Sequence, residues 1–235
     1  MNHQTFEPEL LSELRKYDTP TICNALEVVL GGRRSNGFTT ETFICADPKL
    51  PPMVGYARTA TLRAAEPSGL SAQQARDLRM AYYEYVAAEP HPTVVVVQDI
   101  DARPGLGAWW GEVHAVVHQK LGSLGVITNG AIRDLDVIAP GFQLLGGKIS
   151  PSHAFVHIIE QGNEVNIFGL TVRHQDLIHA DRHGAVVIPA QVANDLPHAI
   201  GVMIAREQLI LEAARQPDFS VAAIRRAMEQ GEDIH

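Results

Sequence analysis

The chain has only two cysteines in 235 residues, Cys23 and Cys45. Their spacing suits neither a metal clip nor a redox pair, so both are expected to be reduced and structural. No apolar run reaches the roughly eighteen residues that a membrane-spanning helix needs. The start, MNHQTFEPELL, lacks the basic-then-apolar order of a secretory signal, so a cytoplasmic location and no membrane partner are expected. Positive charge is short as well. Nineteen Lys and Arg against twenty-seven Asp and Glu leave a net charge of −8, which argues against nucleic acid as a partner. No G-x-G-x-x-G, G-x4-G-K-[ST], H-E-x-x-H or G-x-S-x-G occurs, so the dinucleotide, P-loop, zinc-protease and serine-hydrolase templates are not expected. Repeats of solenoid period and low-complexity tracts are absent.

What the chain does have is 46% apolar residues, fourteen prolines and nineteen glycines, which suits one large core with many tight turns. No linker interrupts it, so residues 1–235 read as a single domain with a core over about 20–200 and a helical tail over about 201–235. Leu10, Leu11 and Leu14 share a helical face, predicting a short helix over 8–17. Asp18-Thr19-Pro20 supplies a cap and a first-turn proline for a second helix, 20–30, stopped by Gly31-Gly32. A loop over 33–53 follows, with one strand at Thr42–Cys45. Val54–Ala64 alternates as a strand, Ala72–Ala88 reads as helix, and Thr93–Gln98 as a central strand apolar on both faces. Next come a helix over 112–121, a strand over 124–128, a turn at Asn129-Gly130, a short helix after Asp134 and a strand near Phe142–Leu145. From 153 the pattern is strand-dense: Ala154–Glu160, Val165–Ile167, Leu170–Val172, Leu177–His179 and Ala185–Ile188. A broken helix from Pro189 to Ala214 and an amphipathic piece, Val221–Met228, end the chain. The expected class is α/β.

Chemistry concentrates between Gly107 and Asp134. The glycine-bracketed turn Gly105-Leu106-Gly107 leads through Trp109-Trp110 to Gly111-Glu112-Val113-His114 at a helix start. Unpaired N–H groups and the positive dipole end there suit a carboxylate or phosphate. The plainer reading is that Gly111 turns the chain and Glu112 answers its own helix dipole. Arg133-Asp134 closes the unit: the guanidinium fork suits a carboxylate or an enolate-like oxygen, and the aspartate a hard divalent cation. Its plainer reading is a surface ion pair. His153/His157 and His179/His183 share H-x3-H spacing. The first pair falls on a predicted strand, where residues four apart stand about 13 Å apart; the second falls on a turn. His114 and His118 share a helical face with no third ligand nearby in sequence. Polar satisfaction of loops and interfaces is preferred to zinc throughout. Trp109-Trp110 reads as a pocket wall or, preferably, a subunit interface.

Five pieces carry a family likeness through their order and spacing: Val54-Gly55-Tyr56-Ala57-Arg58-Thr59-Ala60-Thr61, Trp110-Gly111-Glu112, the run from Gly125 to Asp134, that from Gly169 to Asp176, and that from Ala180 to Pro189. Together they resemble the RraA-like family, which includes the class II 4-hydroxy-4-methyl-2-oxoglutarate/4-carboxy-4-hydroxy-2-oxoadipate aldolases. The resemblance implies an αββα sandwich related to swivelling β/β/α domains, here with a helical C-terminal extension, assembled as a homotrimer or homohexamer with active sites between subunits. It implies Mg²⁺ (or Mn²⁺) on Asp134, with Glu112 orienting a metal-bound water. The backbone N–H groups of Val113 and His114, after Gly111, would receive the substrate carboxylate, and Arg133 the keto oxygen where enolate charge develops. A neighbouring subunit would add an acidic residue, for which Glu207 is the candidate, with Glu212 behind it.

The implied activity is metal-dependent carbon–carbon lysis of a small 2-keto acid, as an aldolase, an oxaloacetate decarboxylase or both. The alternative is a non-catalytic regulatory binding protein of the ribonuclease E inhibitor type. In those family members a glutamine follows the arginine, so the Arg133-Asp134 pair favours an enzyme. No glycine-rich loop follows a strand to hold S-adenosylmethionine, which sets the family's methyltransferase label low. Two departures stand out: Asn129-Gly130 where the family has Asp-Gly, removing a negative charge near the metal, and His174-Gln175 where it has Pro-Gly, a loop difference. The substrate's tail is expected to depend on loops 31–53 and 147–160 and on the adjoining subunit.

Overall fold

The computed structural model describes residues 4–232 and 234. In chain order, α1 (Pro8–Leu14) and α2 (Thr19–Val29) precede β1 (Ile44–Cys45) and the long β2 (Met53–Arg63). Helix α3 (Ala72–Ala87), β3 (Thr93–Asp99), β4 (Ala108–Trp110), α4 (Glu112–Lys120) and β5 (Ser123–Ile132) follow. A 3₁₀ turn, Leu135–Val137, leads to β6 (Gln143–Ile149), β7 (His157–Gln161) and the hairpin β8 (Val165–Ile167) and β9 (Leu170–Val172). Strands β10 (Leu177–Asp181) and β11 (Gly184–Ile188), a 3₁₀ segment Ala190–Asp195, and helices α5 (Leu196–Ala214) and α6 (Val221–Glu232) complete the chain.

Nine strands form one sheet in the order β1-β6-β5-β3-β2-β10-β11, with β4 also on β5 and β7 also on β2. Strands β2, β3, β5 and β6 run parallel. The run TVVVVQ makes β3 its centre because both of its faces are covered. Val95 and Val97 pack with Tyr82 and Val86 of α3 and Ala115 of α4. Val94 and Val96 pack with Val165, Ile167 and Leu170 of the hairpin and with Ile178 and Ala180 of β10. A third core joins α1, α2 and α5 to Val54, Leu177 and Val186. The layers are therefore helix, sheet, strands and helix, the αββα order that the resemblance implies.

Two strands, β2 and β5, take two partners in succession along a single edge. Along β2, β10 pairs with residues 53–56 and β7 with residues 60–63 of the edge opposite β3. The gap between them is also bonded: Ala57 N donates to Asp176 O at 2.8 Å, Thr59 N to the Tyr85 hydroxyl at 3.0 Å, and Gly162 N to Thr59 O at 2.9 Å. Along β5, β3 pairs as far as Thr128 and β4 takes over at Ala131.

That relay corrects the turn expected at Asn129-Gly130. The chain instead continues as strand to Ile132, with a register shift against β6 between Thr128 and Ala131. Asn129 fills the ladder's gap with its side chain: Oδ1 accepts from Asp99 N at 2.7 Å and Nδ2 donates to Asp99 O at 3.0 Å. The amide is thus a replacement rung, which an aspartate's acceptor-only carboxylate cannot supply. At the other departure, Gln175 takes a left-handed φ of 66°, a conformation glycine adopts more readily, and the His174 ring meets the Tyr85 hydroxyl at 2.8 Å.

Three further expectations change. Strand β4 was not foreseen, being three residues long. The strand expected from Ala154 starts at His157, because Ala154 takes φ 46° and Val156 N donates back to His153 O at 3.1 Å, closing a turn. Trp109 and Trp110 are not interface surface: both are buried in the core that α3 and α4 cover. Arg58 is fully buried, its guanidinium donating to Ala88 O and Pro90 O and so tying β2 to the α3–β3 connection. Among the described residues no helix is long and apolar enough to cross a membrane, and both cysteines are free.

Asn129→Asp should destabilise the fold by about 1–3 kcal/mol, because the buried Asp99 carbonyl loses its donor. Urea unfolding of the variant at pH 7 should show the lower midpoint.

Candidate active site

The carboxyl ends of the parallel strands β4 and β5 lie side by side, the position where open α/β sheets present ligand-binding groups. Arg133 N donates to Trp110 O at 2.8 Å, so the residue after β5 is held against the end of β4. Helix α4 starts immediately beyond Trp110, with Gly111 as its N-cap and no side chain of that residue to cap it. The two charge-bearing ends anticipated from sequence therefore meet in one corner.

Gly111 is needed there for space, its φ of −160° being open to any residue. A Cβ would lie 2.4 Å from Asp134 Oδ2 and 3.0 Å from Arg133 Cγ. Asp134 takes the left-handed conformation, φ 56°, which aspartate tolerates better than most side chains. Its Oδ2 accepts from Glu112 N at 3.3 Å and stands 3.6 Å from Arg133 Nε. One carboxylate thus caps the first free amide of α4 and pairs with the guanidinium. Glu112, Val113 and Asp134 are exposed, and His114 and Arg133 half-buried. Every site residue expected within one subunit lies at this corner. Glu207 and Glu212 do not: they lie on α5, which packs with α2 and α6 in the other helical layer.

A cleft of about 460 Å³ opens beside the corner. His114, Arg133, Trp109, His153, Phe155 and His157 line it, as does Arg79 of α3. No carboxylate is among its lining residues. Trp109 Nε1, His114 Nε2 and Arg133 Nε are buried and have no hydrogen-bond partner among the described residues. Three buried polar atoms without a hydrogen bond in the walls of one cleft suit a ligand that carries polar groups.

Burial pushes the His114 imidazole down to about 3, helped by the charges of His118, Arg79 and Arg133. Burial likewise holds His118 at about 4, against the opposing hydrogen bond to the His114 carbonyl. His118 Nδ1 lies 2.6 Å from that carbonyl, which can only accept, so Nδ1 carries the proton. Nε2 then accepts from the Tyr82 hydroxyl at 2.9 Å. His118 is a buried strut under the helix that carries the site.

Among the described residues no three His, Cys, Asp or Glu side chains converge on one point. The turn at 153–156 removes the strand argument against His153/His157, yet no third ligand joins them. His179 bonds Thr19 Oγ1, Leu14 O and Tyr17 O, while His183 pairs with Asp181. The donors at the corner are carboxylate oxygens, Asp134 with Glu112 beside it. That set fits a hard cation that keeps most of its waters, as Mg²⁺ does, and does not fit zinc.

Sequence reasoning missed Arg79 and Phe155 as cleft residues, and it set the pocket-wall reading of Trp109, which the structure supports, second to an interface. Loop 147–160 does reach the cleft, through His153–His157, whereas loop 31–53 lines none of it. Residues 37–39 bond instead to β11, through Thr39 N to Ala185 O and Val187 N to Gly37 O.

A family model described as RraA-like, Aldolase/RraA, matches residues 19–187. No curated protein matches the chain. Among solved structures, an uncharacterized protein from Pseudomonas syringae pv. tomato superposes with a TM-score of 0.72 at 20% identity, covering 98% of this chain and 97% of that one. Streptomyces coelicolor RraAS2, described as an unusual member of the RNase ES inhibitor RraA protein family, gives 0.67 at 22% identity, covering 92% and 100%. An RNA-processing inhibitor RraA from Thermus thermophilis gives 0.52 at 19%, covering 71% and 92%. Likeness at these identities establishes a shared fold.

Two outcomes are expected of this corner. Gly111→Ala should cost about 1–3 kcal/mol in thermal or urea unfolding, since the added methyl must displace Asp134 and Arg133. Stability should also fall as pH drops from about 6.5 toward about 4, because His118 binds its proton more readily unfolded than folded. Above 6.5 both states are neutral there and the dependence vanishes. In the Tyr82→Phe, His118→Leu double variant, urea midpoints across this window should vary less.

Proposed function

Because the chain belongs to the RraA-like family, and because Arg133 and Asp134 meet the start of α4, we propose that it is a divalent-metal-dependent carbon–carbon lyase. Its substrate in this reading is a small 2-keto acid, cleaved by retro-aldol reaction, by β-decarboxylation as with oxaloacetate, or by both. The observation that carries the reading is the Arg133-Asp134 pair packed against Gly111, with Arg133 Nε buried and lacking a hydrogen-bond partner.

The chain's own groups divide the work. The free N–H groups of Val113 and His114 at the helix start receive the substrate carboxylate. Arg133 donates to the keto oxygen, where negative charge accumulates as the carbon–carbon bond breaks and its electron pair moves toward the carbonyl. Glu112 takes the proton of the 4-hydroxyl group, directly or through water, as the aldol bond opens. In decarboxylation no such proton need leave, and carbon dioxide departs from the same bond position. A Mg²⁺ or Mn²⁺ ion on Asp134 would supply further electrophilic pull on the keto acid's oxygens. Neutral His114 adds no charge beside the guanidinium, so Arg133 remains the dominant cation of the pocket wall. Assembly as a homotrimer or homohexamer belongs to the same reading, with Glu207 of α5 the acidic side chain offered to a neighbour's site.

Steady-state cleavage of 4-hydroxy-2-keto acids and of oxaloacetate, with and without Mg²⁺, tests it. Turnover should require the metal, Asp134→Ala should abolish that dependence together with activity, and Arg133→Ala should lower kcat by about 10²–10³. Metal-dependent turnover surviving in Asp134→Ala sinks the site assignment. Absence of turnover combined with capture of ribonuclease E would favour the regulatory alternative, whose fold the chain shares.

A further inference from the structure

The cleft is larger than the keto-acid head requires. At about 460 Å³ it falls among sites that enclose a whole small-molecule ligand, whereas pyruvate has three carbons. Its walls away from Arg133 are mainly flat rings and aliphatic groups. Trp109, Phe155 and the imidazoles of His153 and His157 supply the rings. An apolar crevice continues it beneath the start of α3, between Leu70, Leu78 and Ile158.

Of the polar atoms there, Trp109 Nε1 is a buried donor without a hydrogen-bond partner among the described residues, and two imidazoles are tied to backbone carbonyls. His153 Nδ1 donates to Ala154 O at 2.8 Å and His157 Nδ1 to Phe155 O at 2.7 Å. Each ring therefore has one nitrogen spent on a carbonyl of its own turn. Arg79, which also lines the cleft, sits exposed on α3, where an ion pair in water contributes little. A guanidinium also stacks on an aromatic face.

We propose that this cleft receives the tail of a 2-keto acid that ends in a flat apolar ring, held between Phe155 and Trp109 with Arg79 over its edge. The proposal rests on the keto-acid reading of the corner and names the substrate class within it. Phe155 becomes the specificity-determining residue: it is more than half exposed, so its loss empties the cleft wall and spares the core.

The test is calorimetric binding to the full chain with Mg²⁺ at pH 8, using pyruvate, phenylpyruvate and 2-oxoglutarate. Phenylpyruvate should bind about tenfold more tightly than pyruvate, the gain expected from enclosing one aromatic ring, and more tightly than 2-oxoglutarate. Phe155→Ala should remove most of that gain and leave the pyruvate Kd unchanged, while Arg133→Ala should weaken all three ligands. Preference for 2-oxoglutarate, or a phenylpyruvate Kd unmoved by Phe155→Ala, overturns the ring pocket alone. Phenylpyruvate binding that is sensitive to Phe155 but indifferent to Arg133 upholds the pocket and overturns the head-group reading. Binding of none of the three overturns both.

Discussion

The missing side chain at Gly111 is the constraint on which the corner depends. Strand β4 ends there, α4 begins there, and the β5 terminus presses against it at a distance no Cβ could share. With that space free, the Asp134 carboxylate reaches the first amide of the helix and the Arg133 stem lies alongside. A larger residue would force apart the two strand ends whose juxtaposition creates the site. The φ of Gly111 is ordinary, so the requirement is one of volume and could not be inferred from a turn propensity.

Much of the frame was legible because it follows from periodicity. The four valines of β3 announce a strand covered on both sides, and Val94/Val96 and Val95/Val97 do pack into two different cores. Asp18 caps α2 as its position suggests, accepting from Thr21 N at 3.0 Å. The corner itself was legible in composition, since Gly111, Glu112, Arg133 and Asp134 were named from two short segments. What joined them was β4, three residues with no alternation to detect. The strand-breaking appearance of Asn129-Gly130 hid a continuous β5, because an asparagine side chain bonding a neighbour's backbone leaves no pattern in sequence.

The cleft was less accessible still. Its walls come from α3, from Trp109 and His114, and from the turn at 153–156, segments separated by tens of residues and brought together only by the sheet's order. Exposure adds to the difficulty. Arg79 and Phe155 look like any solvated arginine and any surface phenylalanine until the space between them is seen. His118 is packing, in line with the preference for polar satisfaction over metal binding, its two nitrogens spent on a carbonyl and a tyrosine. Function and structure divided the histidines in a way that spacing alone does not reveal.

The double use of the β2 edge bears on how the molecule behaves in a crowd. An open strand edge is a template on which other chains can pair and precipitate. Here β10 and β7 sit end to end along that edge, and Tyr85, Asp176 and Gly162 occupy the rungs between them. At the sheet's margins β1 is two residues long, and residues 37–39 shield part of β11. The β2 edge and part of the β11 edge are thus closed to a foreign strand by the same register that aligns the site.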